Sequence, residues 1–135
     1  MQLEDQRTHP PLQLELPVGS ASVGRARRAA GEFADQVGAI RQDVELAVSE
    51  AVTNSVIHGY PSGPIGTIVL TAQTSGDGLV VVVTDDGTGL RPNIDSTGLG
   101  LGLPLIARVS EDYRIENASE GGAVITMTFT IGGDE

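Results

Sequence analysis

The sequence has no cysteine and no tryptophan, and all eight of its basic residues are arginine, so lysine is missing as well. Each absence closes a class of chemistry. Without cysteine there are no disulfides, no thiolate nucleophile and no thiolate metal ligand. Without lysine neither a Walker-type phosphate loop nor a eukaryotic-type protein kinase can be built, because both set a lysine amine against the nucleotide phosphates. His9 and His58 are the only imidazoles. That disfavours a dedicated zinc site but leaves magnesium open, since magnesium takes oxygen ligands and retains several waters. No apolar run reaches the roughly 20 residues that cross a bilayer, and the start Met-Gln-Leu-Glu-Asp lacks a basic region followed by an apolar core. A soluble, cytoplasmic protein without membrane association is expected. The formal net charge of −10 repels phosphate backbones, which argues against direct nucleic-acid binding and suits a basic protein partner.

The length of 135 residues fits one domain spanning 1–135, with polar residues 1–11, ending in Pro10-Pro11, as a loose tail. Leu12-Gln-Leu-Glu-Leu16 alternates apolar and polar, the period of an edge strand closed by Pro17. Ser20 or Ser22 is positioned to cap a helix that runs to Val37 and stops at Gly38. Arg25, Arg27 and Arg28 form the one basic cluster, either a solvated face or a partner contact. A central helix from Arg41 to His58 precedes the breaker run Gly59-Tyr60-Pro61. Segments 66–74 and 79–84 read as a hairpin about Ser75-Gly76-Asp77-Gly78, the second strand apolar enough to be central and covered by helices. A short helix with Pro104 in its first turn, a strand over Tyr113–Asn117, a turn at Glu120-Gly121-Gly122 and an alternating strand over Ala123–Ile131 complete an α/β domain whose helices cover one face.

Three stretches carry chemistry. Glu50, Asn54 and His58 are four apart and form a polar ridge on the central helix, where a carboxylate and an amide oxygen one turn apart can serve a magnesium nucleotide. Taken alone, the ridge is equally a solvated helix face. Asp85 ends a buried strand and is followed by Gly87 and Gly89. An aspartate there can accept a hydrogen bond from the exocyclic amine of adenine, which guanine lacks, while the glycines admit a flat ring. Locally, an ordinary turn after a strand fits as well. Gly98, Gly100 and Gly102 lead into a helix and resemble a phosphate cradle, or else a packed glycine hinge. A dinucleotide-binding fingerprint fails, because no strand precedes these glycines and their spacing differs from Gly-x-Gly-x-x-Gly.

Together, Glu50-x-x-x-Asn54, Asp85-x-Gly87-x-Gly89, the Gly98-Leu-Gly-Leu-Gly-Leu run and Gly121-Gly122 resemble the asparagine box and three glycine boxes of the Bergerat-fold (histidine-kinase-like) ATPases. The stretch Ser49–Tyr60 and the short connection from Leu90 to Gly98 narrow the resemblance to the bacterial anti-sigma-factor serine/threonine kinases. The resemblance implies an α+β two-layer sandwich with a mixed, mostly antiparallel sheet. It implies ATP/ADP and Mg²⁺ as cofactors, Asn54 as magnesium ligand and Glu50 as the base at the attacking hydroxyl. Asp85 reads adenine; Gly87, Gly89 and Thr126 shape its pocket; Gly98, Gly100, Leu101 and Gly102 lie along the phosphates. His58 either supports the site or caps the helix, and takes no part in transfer. The partners implied are a sigma factor and an anti-anti-sigma antagonist of the STAS type, with a homodimer as the family's assembly. Two alternatives stand beside the kinase: a nucleotide-binding partner-switch module that transfers no phosphate, and a detached histidine-kinase catalytic domain. Two departures bear on turnover. Leu99 or Leu101 stands where many members carry an arginine, for which Arg91 or a neighbouring subunit is the substitute, and Ala123 replaces the threonine that usually follows the last glycine.

Overall fold

A computed structural model describes residues 10–58, 66–87, 103–117 and 121–132. Strand β1 (Leu12–Pro17) leads into helix α1 (Ser20–Val37) and helix α2 (Arg41–His58). Strands β2 (Thr67–Ser75) and β3 (Gly78–Asp85) follow, then helix α3 (Leu103–Val109) and strands β4 (Asp112–Asn117) and β5 (Ala123–Thr130). The strands form one five-stranded sheet in the order β1-β2-β3-β5-β4. All four ladders are antiparallel, so the mixed sheet expected from the resemblance is antiparallel throughout its described strands.

The period-two patterns decide which side of each strand enters the core. Leu70 pairs with Val83 and Val83 with Ile125, while Ala72 pairs with Val81 and Val81 with Met127. These rows are buried against α1 and α2, whose own buried residues are mostly small: Ala26, Ala30 and Ala34 on α1, and Ala47, Val48 and Ala51 on α2. Small side chains let both helices lie close to the sheet. Full burial of each leucine or valine contributes about 1.5–3 kcal/mol. The opposite face carries Val69, Thr71, Val80, Val82, Val124, Thr126 and Thr128, all half-buried. Strand β3 is central as expected, but the described helices cover only one of its faces. On the other, Val82 leans on its cross-strand neighbours Thr71 and Thr126.

The connections follow local chemistry with one exception. Ser75 pairs with Gly78 across a tight turn in which Gly76 takes φ +61°, a left-handed conformation that suits glycine. Helix α1 ends at Gly38, φ +92°, whose N–H donates to the Ala34 carbonyl at 2.9 Å. The exception is the start of α1. Its N-cap is Gly19 with no side-chain cap, and the Ser22 hydroxyl donates to the Gly19 carbonyl instead of accepting a helix amide. The expected serine cap is therefore not made. Between the helices, Gly31 lies under the α2 ion pair in which Arg41 Nε donates to Glu45 Oε2 at 2.8 Å, with Asp35 on a second guanidinium nitrogen. Both carboxylates raise the Arg41 pKa, Glu45 through the larger effect.

Candidate nucleotide site

The last residue of β3 is Asp85, only 4% exposed although it is an acid. Its Oδ1 accepts two backbone amides, from Gly87 at 2.9 Å and from Ala123, the first residue of β5, at 3.3 Å. The first contact is a local Asx turn; the second crosses the sheet. Gly122 makes the crossing possible. It adopts φ +91°, and a β-carbon there would overlap the Asp85 carbonyl oxygen and lie 2.9 Å from its carbon. Asp86 points the other way: it is exposed, and its Oδ1 accepts the N–H of Thr67 at 3.0 Å, fixing the start of β2. The doublet thus separates into an inward carboxylate at the end of a central strand and an outward one that anchors the neighbouring strand.

Helix α2 packs across β3 and β5. Asn54 on this helix is 5% exposed and Ser55 4%, so the amide is enclosed within the domain. Glu50, one turn earlier, is half-buried. The ridge of the sequence is therefore divided: Asn54 is inside and Glu50 at its margin. The His58 side chain lies outside the described residues, as do Gly89, Gly98, Gly100, Leu101 and Gly102. Helix α3 begins at Leu103 with Pro104 in its first turn, as expected, and Ile106 anchors it with no exposed surface.

Thr126 is not brought to this site. In the β3–β5 register Thr84 faces Val124 and Val82 faces Thr126, so Thr126 shares with Val82 the face that no described helix covers, while Asp85 shares the covered face with Val83 and Ile125. The β5 residue on the Asp85 face at the site is Ala123. Sequence reasoning also missed what Ala123 and Gly122 do there: one contributes a backbone N–H, the other the missing β-carbon. The Gly121-Gly122 pair was the available signal. One further group is unexplained by packing: the Ser49 hydroxyl oxygen, next to Glu50, is buried with no hydrogen-bond partner.

Among the described residues no three His, Cys, Asp or Glu side chains cluster as metal ligands. An amide oxygen and one carboxylate fit magnesium that arrives with a nucleotide, because that ion binds through one or two protein oxygens plus phosphates and water. No described helix is long and apolar enough to cross a membrane.

A two-layer sandwich whose antiparallel sheet ends in an amide-fixed aspartate, covered by a helix carrying a buried asparagine, is the architecture of histidine kinase-like ATPase domains. The family model for that domain matches residues 16–129, and the chain belongs to this family, in its branch of anti-sigma serine kinases. The chain is 31% identical to an anti-sigma F factor from a Thermoanaerobacter species over 69% of this chain and 72% of the relative. It is also 31% identical to the serine-protein kinase RsbW of Halalkalibacterium halodurans, covering 96% and 90%. Among solved structures, the catalytic domain of histidine kinase ThkA superposes with TM-score 0.59 at 15% identity, covering 89% and 96%. The histidine kinase domain of the Escherichia coli osmosensor EnvZ gives 0.52 at 15%, covering 95% and 94%. At such identities the two structures establish the fold alone.

Proposed function

We propose that this protein is a cytoplasmic ATP-dependent anti-sigma factor that sequesters a sigma factor and phosphorylates a serine or threonine of an anti-anti-sigma antagonist. The observation that carries the reading is the buried Asp85 carboxylate, with both described amide donors on one oxygen. A carboxylate so fixed is preorganised to accept the adenine amine, and a buried polar group of this kind discriminates against bases that cannot pair with it. Names of the relatives, an anti-sigma factor and a serine-protein kinase, support the partner and the reaction.

In this reading Asn54 holds magnesium, which neutralises phosphate charge when bound. Glu50 accepts the proton of the attacking hydroxyl, and its half-buried position leaves it within reach of a second protein. Gly87 keeps the turn after Asp85 open to the ring. Labelled ATP, Mg²⁺ and a STAS-type antagonist in one reaction test the proposal: acid-stable phosphoserine or phosphothreonine is expected. Glu50→Ala should abolish it while sparing ATP binding. Transfer at the normal rate by that variant would remove Glu50 from the mechanism. One observation favours a second reading, a partner-switch module that binds nucleotide without transfer: Ala123 sets a methyl group where the family's threonine would add a hydroxyl on the Asp85 face. ATP binding with no label on the antagonist would select it.

A further inference from the structure

The pole of the domain opposite Asp85 holds a groove of about 270 Å³. Ile40 and Asp43 line it at the start of α2, Val109 to Glu111 after α3, and Phe129 with Thr130 at the end of β5. Hydrogen bonds fix its walls. The Glu111 N–H donates to the Thr128 carbonyl at 2.7 Å, the Ser110 hydroxyl to the Ile106 carbonyl at 2.6 Å, and the Thr130 hydroxyl to Glu111 Oε1 at 2.9 Å.

Two features distinguish this groove from an ordinary surface dent. Ile40 is 64% exposed, more than any other large hydrophobic residue described. It also occupies the N-cap of α2, since its carbonyl accepts the first intrahelical bond, from the Val44 N–H at 3.2 Å. A side chain with an oxygen is favoured at that position to satisfy a first-turn amide. Isoleucine offers none and gains little burial in exchange, and a local rule broken without compensation marks a position kept for another purpose. The second feature is charge. Asp43 and Glu111 stand at the rim, and neither is in an ion pair among the described residues. The nearest cation in sequence, Arg41, is committed to Asp35 and Glu45, and Arg108 on α3 is exposed and pairs with neither rim carboxylate.

From these observations we infer that the groove docks a basic segment of a protein partner. One bulky apolar side chain of that segment seats against Ile40, Val109 and Phe129, and flanking arginines or lysines meet Asp43 and Glu111. From Asp43 to Asn54 the helix runs about 16 Å, and from Phe129 to Ala123 the strand runs about 20 Å. A segment held here leaves the nucleotide site accessible, and both are occupied together.

The test is a titration of the ¹⁵N-labelled chain at low salt with the peptide Arg-Arg-Leu-Arg-Arg and, separately, with Glu-Glu-Leu-Glu-Glu. The basic peptide is expected to shift amide signals of residues 40–43, 109–111 and 129–130, and the acidic one to leave them in place. Ile40→Ala should weaken binding about fivefold without moving the urea midpoint, and Asp43→Asn or Glu111→Gln about threefold each, the scale of one exposed ion pair. Asp85→Asn should leave peptide binding unchanged, which separates this result from the fate of the nucleotide assignment. Equal shifts with both peptides, or shifts dispersed over the surface, overturn the inference. So do groove signals that move with protein concentration alone, which would make a second copy the occupant.

Discussion

The Ala123 N–H donates to Asp85 Oδ1 across a sequence separation of 38 residues, so the aspartate that ends β3 is held by the strand that lies beside it. Gly122 is the condition for that contact. Gly122→Ala adds a β-carbon against the Asp85 carbonyl at a φ that L-residues avoid. The expected cost is about 1–3 kcal/mol of stability, together with a loss of ATP affinity of at least tenfold. Urea unfolding and titration with a fluorescent ATP analogue measure the two. Wild-type affinity in the variant would remove the close approach from the site.

Asp85→Asn keeps the size of the side chain but exchanges a carboxylate for an amide. If Asp85 reads the adenine amine, ATP binding weakens by about tenfold or more while GTP binding, already poor, changes little. Isothermal titration with both nucleotides checks the sign.

Asn54→Ala should make ATP affinity insensitive to magnesium. For the wild type, removing Mg²⁺ with EDTA lowers affinity to the level of the variant; for Asn54→Ala, EDTA changes nothing further. A variant that still responds to EDTA would show that the ion is held by other groups.

Two helix glycines on α1 should respond oppositely to alanine. At Gly24 an added β-carbon meets only guanidinium tips, at 3.5 and 3.8 Å, so Gly24→Ala should stabilise by about 0.5–1 kcal/mol through helix propensity. At Gly31 it would lie 2.5 Å from Glu45 Oε2 and 2.9 Å from Arg41 Nε. The propensity gain is offset there by displacement of the pair, and Gly31→Ala should be neutral or destabilising. Urea midpoints of both variants decide it.

Ser49→Ala removes a buried hydroxyl oxygen that has no partner. It should stabilise by up to about 1 kcal/mol, because an unsatisfied polar group costs on that scale and alanine favours the helix. A destabilised variant would reveal a hydrogen bond that this hydroxyl makes in solution.

Elements whose side chains alternate or recur every third or fourth residue are legible in the sequence itself. In Ala123–Thr130 the odd positions proved to be the core set, and Asp85 stood where a strand end was expected. The error at Thr126 has a physical reason. Period two states which residues share a face, but only the pairing register states which face joins a neighbour's functional side chain, and the sequence does not print registers. The cap at Gly19 was missed because serines one and three positions on offered side-chain oxygens able to accept a first-turn amide, which the fold does not use as a cap. Ala123's contribution was invisible for a simpler reason: every residue except proline carries the same N–H.

The strand order has a consequence for how the protein comes into being. Strand β5 is the last described strand, yet it sits between β3 and β4 and is, among the described residues, the one strand paired with β4. A nascent chain that has emerged only as far as β4 presents β3 as an open edge and leaves Asp85 without its Ala123 amide. The sheet therefore closes from its interior late in synthesis, and the Asp85 carboxylate takes its final position only then. A ribosome-bound fragment ending before Gly121 should neither hold nucleotide nor compete for partners of the finished protein.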